Sequence, residues 1–315
     1  MSSSVKYRPN FAIVYSMSKP KILVIVGPTA SGKSALAVEL ALRLNGEVIS
    51  ADSRQVYRGL DIGSGKVTKE EMKGVPHHLL DIFEPNETYT GTNFVQDANL
   101  VILDILERKK LPIVTGGTFF YIELLRGLSK SAPVAPSPLL RTELEKLSNE
   151  ELFQKLQTLD LDRANNIDKH NRHRLIRSLE IIDALGKVPA IQANESPYDW
   201  KIIGIDIEKE LLHERIKTRL EERLKHGMIE EVEGLLKNGI TPKRLISFGL
   251  EYRYLTEYLI GKITYEQMFV EILNKSKQFA KRQLTWLKRD ETMIWKKFPV
   301  NIEELETEVR DFLSK

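Results

Sequence analysis

The chain has 315 residues, of which 42% are hydrophobic, and a formal net charge of +3. That length exceeds one minimal domain and the apolar content can bury a substantial core, so one large α/β domain with an insertion, or two domains, is expected. The absence of cysteine excludes disulfides, thiol catalysis and Cys-based zinc sites and fits the cytoplasm; no apolar stretch is long enough for a bilayer, so no membrane partner is expected; and the small net charge gives no ground for a nucleic-acid partner by itself.

Residues 1–20 read as a loose extension. Their apolar patch, Phe11 to Tyr15, is too short for a signal peptide and has no small-residue cleavage site after it, and Met17 is an alternative start to Met1. Apolar runs bounded by turn signals then recur at Lys21 to Val26, Glu47 to Ser50, Leu111 to Thr115 and Lys201 to Ile207, with helix-period sequence between the first three. This is the pattern of a parallel sheet flanked by helices. Between the third and fourth strands a proline-rich linker (Pro133, Pro136, Pro138) leads into helical sequence through Ile182, closed by Pro189 and Pro197, which reads as an inserted all-α domain over 126–198. The α/β core is then 21–125 with 199–315, and its C-terminal part is helical from Glu208 to about Tyr258 and from Thr264 to about Leu287.

Residues 27 to 34 read Gly-Pro-Thr-Ala-Ser-Gly-Lys-Ser, a complete G-x-x-x-x-G-K-[ST] loop of the ATP-binding type. It follows a strand and precedes a helix with Leu36, Leu40 and Leu44 on one face, as a phosphate loop requires. Backbone amides of Gly27, Pro28, Thr29, Ala30, Ser31 and Gly32 and the helix N-terminus would cradle an anion, with proline contributing only loop shape. Lys33 adds a charge, and the Ser34 hydroxyl is placed to ligate Mg²⁺. The motif does not say whether the phosphates belong to a nucleotide.

The second strand ends in Ser50-Ala51-Asp52-Ser53, which puts a carboxylate at the C-terminal edge of the sheet, where open α/β folds bind ligands. Asp52 is then a Mg²⁺ ligand through water, a general base, or the cap of the turn at Ser53 to Tyr57. After the third strand, Gly116-Gly117-Thr118 permits close backbone approach, and Thr118 can donate to a substrate. Adjacent His77 and His78 point apart on a strand, so packing or capping is expected of them, not metal binding. Basic residues gather at Arg163 to Arg177 (with His170, Arg172, His173 and Arg174), at Arg215, Arg219 and Arg223 on one helix face, and at Lys275 to Arg289. Each alone reads as a solvated face; together, beside a phosphate loop, they favour a polyanionic partner.

In order and spacing, the loop 27–34, the segment Ile49 to Tyr57 with Gly59-Leu60-Asp61-Ile62-Gly63, Val75 to His78, Gly116 to Thr118 and Ala280-Lys281-Arg282-Gln283-Leu284-Thr285-Trp286 resemble the tRNA dimethylallyltransferases. The resemblance runs from Lys21 to about Asp290. It implies a P-loop NTPase-like core whose loop holds dimethylallyl diphosphate, with Mg²⁺ as cofactor and the tRNA anticodon stem-loop as partner. The implied reaction moves the dimethylallyl group to N6 of the adenosine next to the anticodon, in tRNAs reading codons that begin with U. Lys33, Ser34 through Mg²⁺, the loop amides and Arg219 would clamp the diphosphate. Asp52 would take the N6 proton, and Thr29 and Thr118 would orient substrate. Asp52, Ser53, Arg54 and Gln55 would contact the flipped base, and His173, Arg174, Leu175, Ile176 and Arg177 would grip the stem-loop backbone. A cytoplasmic monomer is expected.

One stretch departs from the family. Where its members carry Gly-Tyr-Lys/Arg-Glu/Gln, this chain has Gly249-Leu250-Glu251-Tyr252-Arg253-Tyr254. Either Tyr252 and Arg253 replace the lost RNA contacts from further along, or the anticodon loop is held less tightly. Rival readings are a P-loop kinase of a small metabolite, a non-catalytic tRNA-binding protein, and prenyl transfer to free AMP.

Overall fold

The structure, a computed structural model, describes residues 18–129, 132, 134–189 and 195–315. Most of the expected N-terminal extension, residues 1–17, and the linker Pro133 lie outside the described residues. The chain divides into two compact units, residues 1–126 with 195–315, and residues 127–194.

The first unit begins with β1 (Lys21–Val26), α1 (Lys33–Leu44), β2 (Gly46–Ser50), α2 (Lys69–Met72), β3 (His77–His78), α3 (Gly91–Glu107), β4 (Leu111–Thr115) and α4 (Phe119–Leu125). The second unit holds α5 (Pro138–Leu144), α6 (Asn149–Leu159), α7 (Leu161–Asn165) and α8 (Arg172–Leu185). The first unit resumes with β5 (Asp199–Asp206), α9 (Lys209–Lys225), α10 (Met228–Lys237), α11 (Pro242–Phe248), α12 (Leu250–Leu259), α13 (Tyr265–Leu287), β6 (Ile294–Lys297) and α14 (Ile302–Ser314).

The strands form a six-stranded sheet, β3-β2-β4-β1-β5-β6, and every adjacent pair is parallel. In the central strand β1, Val24 lies opposite Val114 of β4 and Ile202 of β5. Its side chains alternate between two cores: Ile22, Val24 and Val26 join one apolar cluster, Leu23 and Ile25 another. A strand covered on both faces cannot alternate apolar with polar, which is why the sequence reads as a continuous hydrophobic run. The two edge strands carry no such run. Two-residue β3 and the half-exposed β6 are additions to the four strands expected, and both are too short or too polar to be recognised without their neighbours.

His78 explains part of β3. Its Nε2 lies 2.7 Å from Glu47 Oε2, while His77 Nδ1 lies 2.8 Å from the Val75 carbonyl, so both histidines serve packing and polar satisfaction. Glu47 is only 1% exposed and also meets Arg108 through two bonds and Lys110 Nζ at 2.7 Å. Its carboxyl is held far below the usual range, mainly by Arg108, against the opposing effect of burial. A depressed folded-state pKa means the cluster stabilises the fold above the ordinary carboxylate pKa near 4.5 and that this stability fades as pH falls toward the folded value. Glu47→Gln should cost about 2 kcal/mol at neutral pH, less than for a wholly buried pair because Arg108 and Lys110 can rehydrate. Denaturant melts of both proteins from neutral to acid pH should show the gap closing; a constant gap would refute the charge origin of the loss.

The second unit has its own core, built from Leu144, Leu152, Leu156, Leu175, Ile176, Leu179 and Ile182. A capping box, Ser148 with Glu151, starts α6. Buried Glu180 accepts from Ser137 N at 3.1 Å and from Arg141 at 2.8 Å, pinning the start of α5 to α8.

Candidate active site

A cleft of about 600 Å³ opens at the C-terminal ends of β1, β2 and β4, lined by residues of the first unit. Parallel strands deliver their chain ends to one edge, so Gly27–Ser34, Asp52–Gln55 and Gly116–Thr118 meet there although far apart in sequence.

The phosphate loop is shaped by its own backbone. A Cβ on Gly27 would stand 2.6 Å from Ser31 Oγ, so only glycine fits. Ala30 and Gly32 take left-handed conformations, φ 62° and 93°, at a cost to the alanine of about 1 kcal/mol. Loop carbonyls are tied down: Ser31 N donates to Pro28 O at 3.2 Å, Lys33 Nζ to the same oxygen at 3.3 Å, and Arg215 Nε to Ala30 O at 2.8 Å. The first amides of α1 have no intrahelical acceptor and face the end of the helix where an anion is favoured.

The stripe Arg215, Arg219, Arg223 on α9 is not a solvated face. Arg215 braces the loop and packs over the Phe298 ring at 4.9 Å, while Arg219 and Arg223 line the cleft with Lys33. Arg219 donates to the Gly65 carbonyl at 3.2 Å, an acceptor it shares with the Gln55 amide at 3.2 Å. Gly65 has φ 64°, a left-handed conformation that favours glycine, and a Cβ there would displace the Arg223 guanidinium. Burial and the neighbouring Arg219 lower the Lys33 pKa to about 8, with Asp52 acting in the opposite direction. Burial and Arg223 bring Arg219 down to about 10. Cations crowded enough to repel their own protons form a site poised for an anion.

Asp52 divides its oxygens between two of the roles the sequence left open. Oδ1 caps the turn, accepting from Arg54 N at 2.9 Å and Gln55 N at 3.4 Å. Oδ2 stands beside Gly117, 3.1 Å from where a Cβ there would be. Thr118 also braces the neighbouring loop: its hydroxyl accepts from Ser53 N at 3.0 Å and lies 3.1 Å from Ser53 Oγ. Thr29 is held through its backbone N–H, which donates to Gln283. Arg54 is largely buried over the Phe248 ring at 5.6 Å, and burial lowers its pKa. Phe120, Phe279 and Trp286 give the cleft an aromatic side.

The segment 249–254 is resolved by a network the sequence did not reveal. Gly249 and Leu250 both have positive φ, 77° and 36°, and this bend presents Glu251 to the cleft, 3.6 Å from Arg223. Tyr252 is only 2% exposed and donates its hydroxyl to Glu231 Oε1 at 2.9 Å. Glu231 also accepts from the amides of Asp61, Ile62 and Gly63 at 2.9, 2.6 and 3.1 Å, which fixes the loop carrying Gly65. Tyr252 is therefore a core anchor and offers no stacking face to RNA.

In the second unit, His173 and Arg174 are exposed. Leu175 and Ile176, 0% and 5% exposed, place their side chains in the core of this unit, which leaves contact with RNA at these two positions to the backbone. Arg177 is occupied by the Val134 carbonyl at 2.5 Å and by Glu180. Arg172 is committed to the Glu145 carbonyl at 2.7 Å and Asn149 at 3.2 Å. Among the described residues no cluster of three or more His, Asp or Glu side chains could hold a metal, and no helix is long and apolar enough to cross a membrane.

A parallel α/β core of P-loop architecture, with a basic cleft beside a strand-end carboxylate, defines the class as one that handles phosphorylated substrates. Comparison with known proteins narrows it. A family model described as IPP transferase matches residues 55–290. The tRNA dimethylallyltransferase 1 of Trichlorobacter lovleyi is 41% identical over 292 residues, 90% of this chain and 95% of that protein. The tRNA dimethylallyltransferase of Caldanaerobacter subterraneus subsp. tengcongensis is 39% identical, over 87% of this chain and 91% of its own length. Among solved structures, the tRNA isopentenylpyrophosphate transferase of Bacillus halodurans superposes with a TM-score of 0.70 at 36% identity, covering 94% of this chain and 96% of that one. A eukaryotic dimethylallyltransferase acting on tRNA gives a TM-score of 0.74 at 26% identity, with 88% of this chain and 74% of that one covered. The chain belongs to the IPP transferase family.

Proposed function

We propose that this chain transfers the dimethylallyl group of dimethylallyl diphosphate to N6 of the adenosine next to the anticodon in tRNAs reading codons that begin with U, releasing diphosphate. The observation that carries the reading is the convergence on one cleft of Thr29, Lys33 and Ser34 of the phosphate loop with Arg219 and Asp52. The allylic C–O bond breaks as charge builds on the departing diphosphate, and Lys33, Arg219 and the loop amides stabilise that charge. The N6 lone pair forms the new N–C bond, and Asp52 Oδ2 accepts the N6 proton. Oδ1, engaged with the turn amides, keeps the carboxylate oriented. Adenine must leave its stack to enter such a cleft, at a cost of roughly a few kcal/mol. Arg54 and the aromatic side of the cleft offer the extruded base cationic and stacking contacts. On the second unit, the exposed His173 and Arg174 would meet the stem-loop backbone.

The donor set fits Mg²⁺. A cleft with the Ser34 hydroxyl at its mouth and no multi-carboxylate cage suits an ion that keeps most of its shell as water and diphosphate oxygens. Bound there, it would neutralise charge on the leaving group. Action as a monomer is part of this reading, and the cysteine-free composition suits the cytoplasm.

Unmodified tRNA incubated with dimethylallyl diphosphate and Mg²⁺, with ATP as control donor and AMP as control acceptor, tests the reading. Prenylated adenosine in tRNA alone is the expected product. Phosphoryl transfer from ATP, or prenylation of AMP in preference to tRNA, would overturn it.

Glu251 sits on the diphosphate side of the cleft, so its neutralisation should be felt there. Glu251→Gln frees Arg223 for the anion and is expected to lower the KM for dimethylallyl diphosphate a few-fold, as suits a half-buried pair worth about 1 kcal/mol, with the KM for tRNA unchanged. A shift confined to the tRNA KM would return Glu251 to the RNA interface.

A further inference from the structure

Gln283 is one of five residues on α13 that line the cleft, with Ser276, Phe279, Arg282 and Trp286, yet it is only 4% exposed. Its Oε1 accepts the Thr29 N–H of the phosphate loop at 2.8 Å, and its Nε2 donates to the Gly117 carbonyl at 3.1 Å. The orientation of the amide is unambiguous, because a backbone N–H only donates and a carbonyl only accepts. Among the described residues no other side-chain hydrogen bond joins the loop 27–34 to the loop 116–118. The second of these loops is in turn tied to the Asp52 segment: Thr118 N donates to Ala51 O at 3.1 Å, Thr118 Oγ1 accepts from Ser53 N, and Gly117 lies against Asp52 Oδ2. A Cβ on Gly116 would stand 2.2 Å from the Ala51 carbonyl oxygen, so this second contact is close-packed and has little freedom.

From this geometry we infer that Gln283 is a positioning residue that sets the spacing between the leaving-group cradle and the general base. The inference rests on the functional reading above. The donor diphosphate is held by one loop and the attacking nitrogen is deprotonated beside the other. Each loop keeps its own internal bonds without Gln283, so each substrate should still bind when the bridge is cut. What is lost is their mutual alignment, and a displacement of about 1 Å at reacting atoms can cost on the order of 10²-fold in rate.

The experiment compares wild type, Gln283→Leu and Gln283→Glu in steady-state turnover of dimethylallyl diphosphate and unmodified tRNA, with equilibrium binding of the diphosphate measured separately. For Gln283→Leu, which leaves the Thr29 N–H and Gly117 carbonyl unpaired, kcat should fall on the order of 10²-fold, with both KM values and diphosphate affinity within a few-fold of wild type. Gln283→Glu adds a readout that folding does not mimic. An ionised glutamate accepts from Thr29 but repels the Gly117 carbonyl, whereas a protonated one reproduces both bonds, its carbonyl accepting and its O–H donating. Burial favours the protonated form. The ratio of the Gln283→Glu kcat to the wild-type kcat should therefore rise as pH is lowered. A flat ratio, or a Leu variant with wild-type kcat, overturns the bridge. Should Gln283→Leu fail to fold, the pH ratio of the Glu variant decides alone. Lack of turnover by wild type would strike instead at the functional reading, so the two failures are distinguishable.

Discussion

Lys33→Ala is expected to lower kcat/KM for dimethylallyl diphosphate by on the order of 10³-fold while leaving tRNA affinity within a few-fold. The lysine lies in the cleft with Arg219 and Arg223, and Asp52 is the acidic group that acts on it. Its pKa, lowered to about 8, gives a second signature. A bound diphosphate favours the charged lysine, so the pKa rises in the complex. Affinity for the diphosphate should then be constant well below pH 8 and fall as pH rises through about 8, where the free enzyme loses the proton that the complex still holds. Proton uptake on binding follows in that window, readable as a dependence of binding enthalpy on buffer ionisation. In Lys33→Ala that component of the uptake should vanish. Binding of the diphosphate unaffected by the substitution, or loss of tRNA affinity by the same factor as loss of turnover, would show that the loop does not hold the isoprenoid donor.

Local chemistry made much of this cleft legible. The phosphate loop is eight contiguous residues whose spacing carries its mechanism, and Asp52 follows from the rule that strand ends face the ligand. The four expected strands read clearly because a strand covered on both faces must be apolar throughout. What escaped was set by partners distant in sequence. Gln283 is 254 residues from the amide it accepts, and Glu231 is 168 residues from Gly63, so neither residue has a local pattern that announces a bond. The stripe Arg215, Arg219, Arg223 was visible as a periodicity, but the same spacing serves a solvated face and a cleft wall, and only packing against Gly65 and Ala30 separates them. Leu175 and Ile176 show the converse case. They lie between basic residues in a segment read as one RNA-binding unit, yet helical periodicity turns them inward while His173 and Arg174 face out.

Asp52→Asn isolates basicity from every other task of the residue. Asparagine matches aspartate in size, and its carbonyl oxygen can accept from the amides of Arg54 and Gln55 as Oδ1 does, so the turn at Ser53 to Tyr57 and the bond from Ser53 N to Thr118 should persist. The opposite end of the side chain becomes an NH₂ group, which cannot take a proton from N6. If Asp52 serves as general base, kcat should fall by about 10²- to 10⁴-fold with little change in either KM. Melting temperature should stay near that of wild type, since the capping contact is kept. Asp52→Ala, which removes the cap as well, should add a loss of stability of about 1 kcal/mol to the same loss of rate. Should Asp52→Asn turn over at nearly the wild-type rate, Oδ2 takes no proton, and the residue is reduced to holding the turn that presents Arg54 and Gln55 to the cleft.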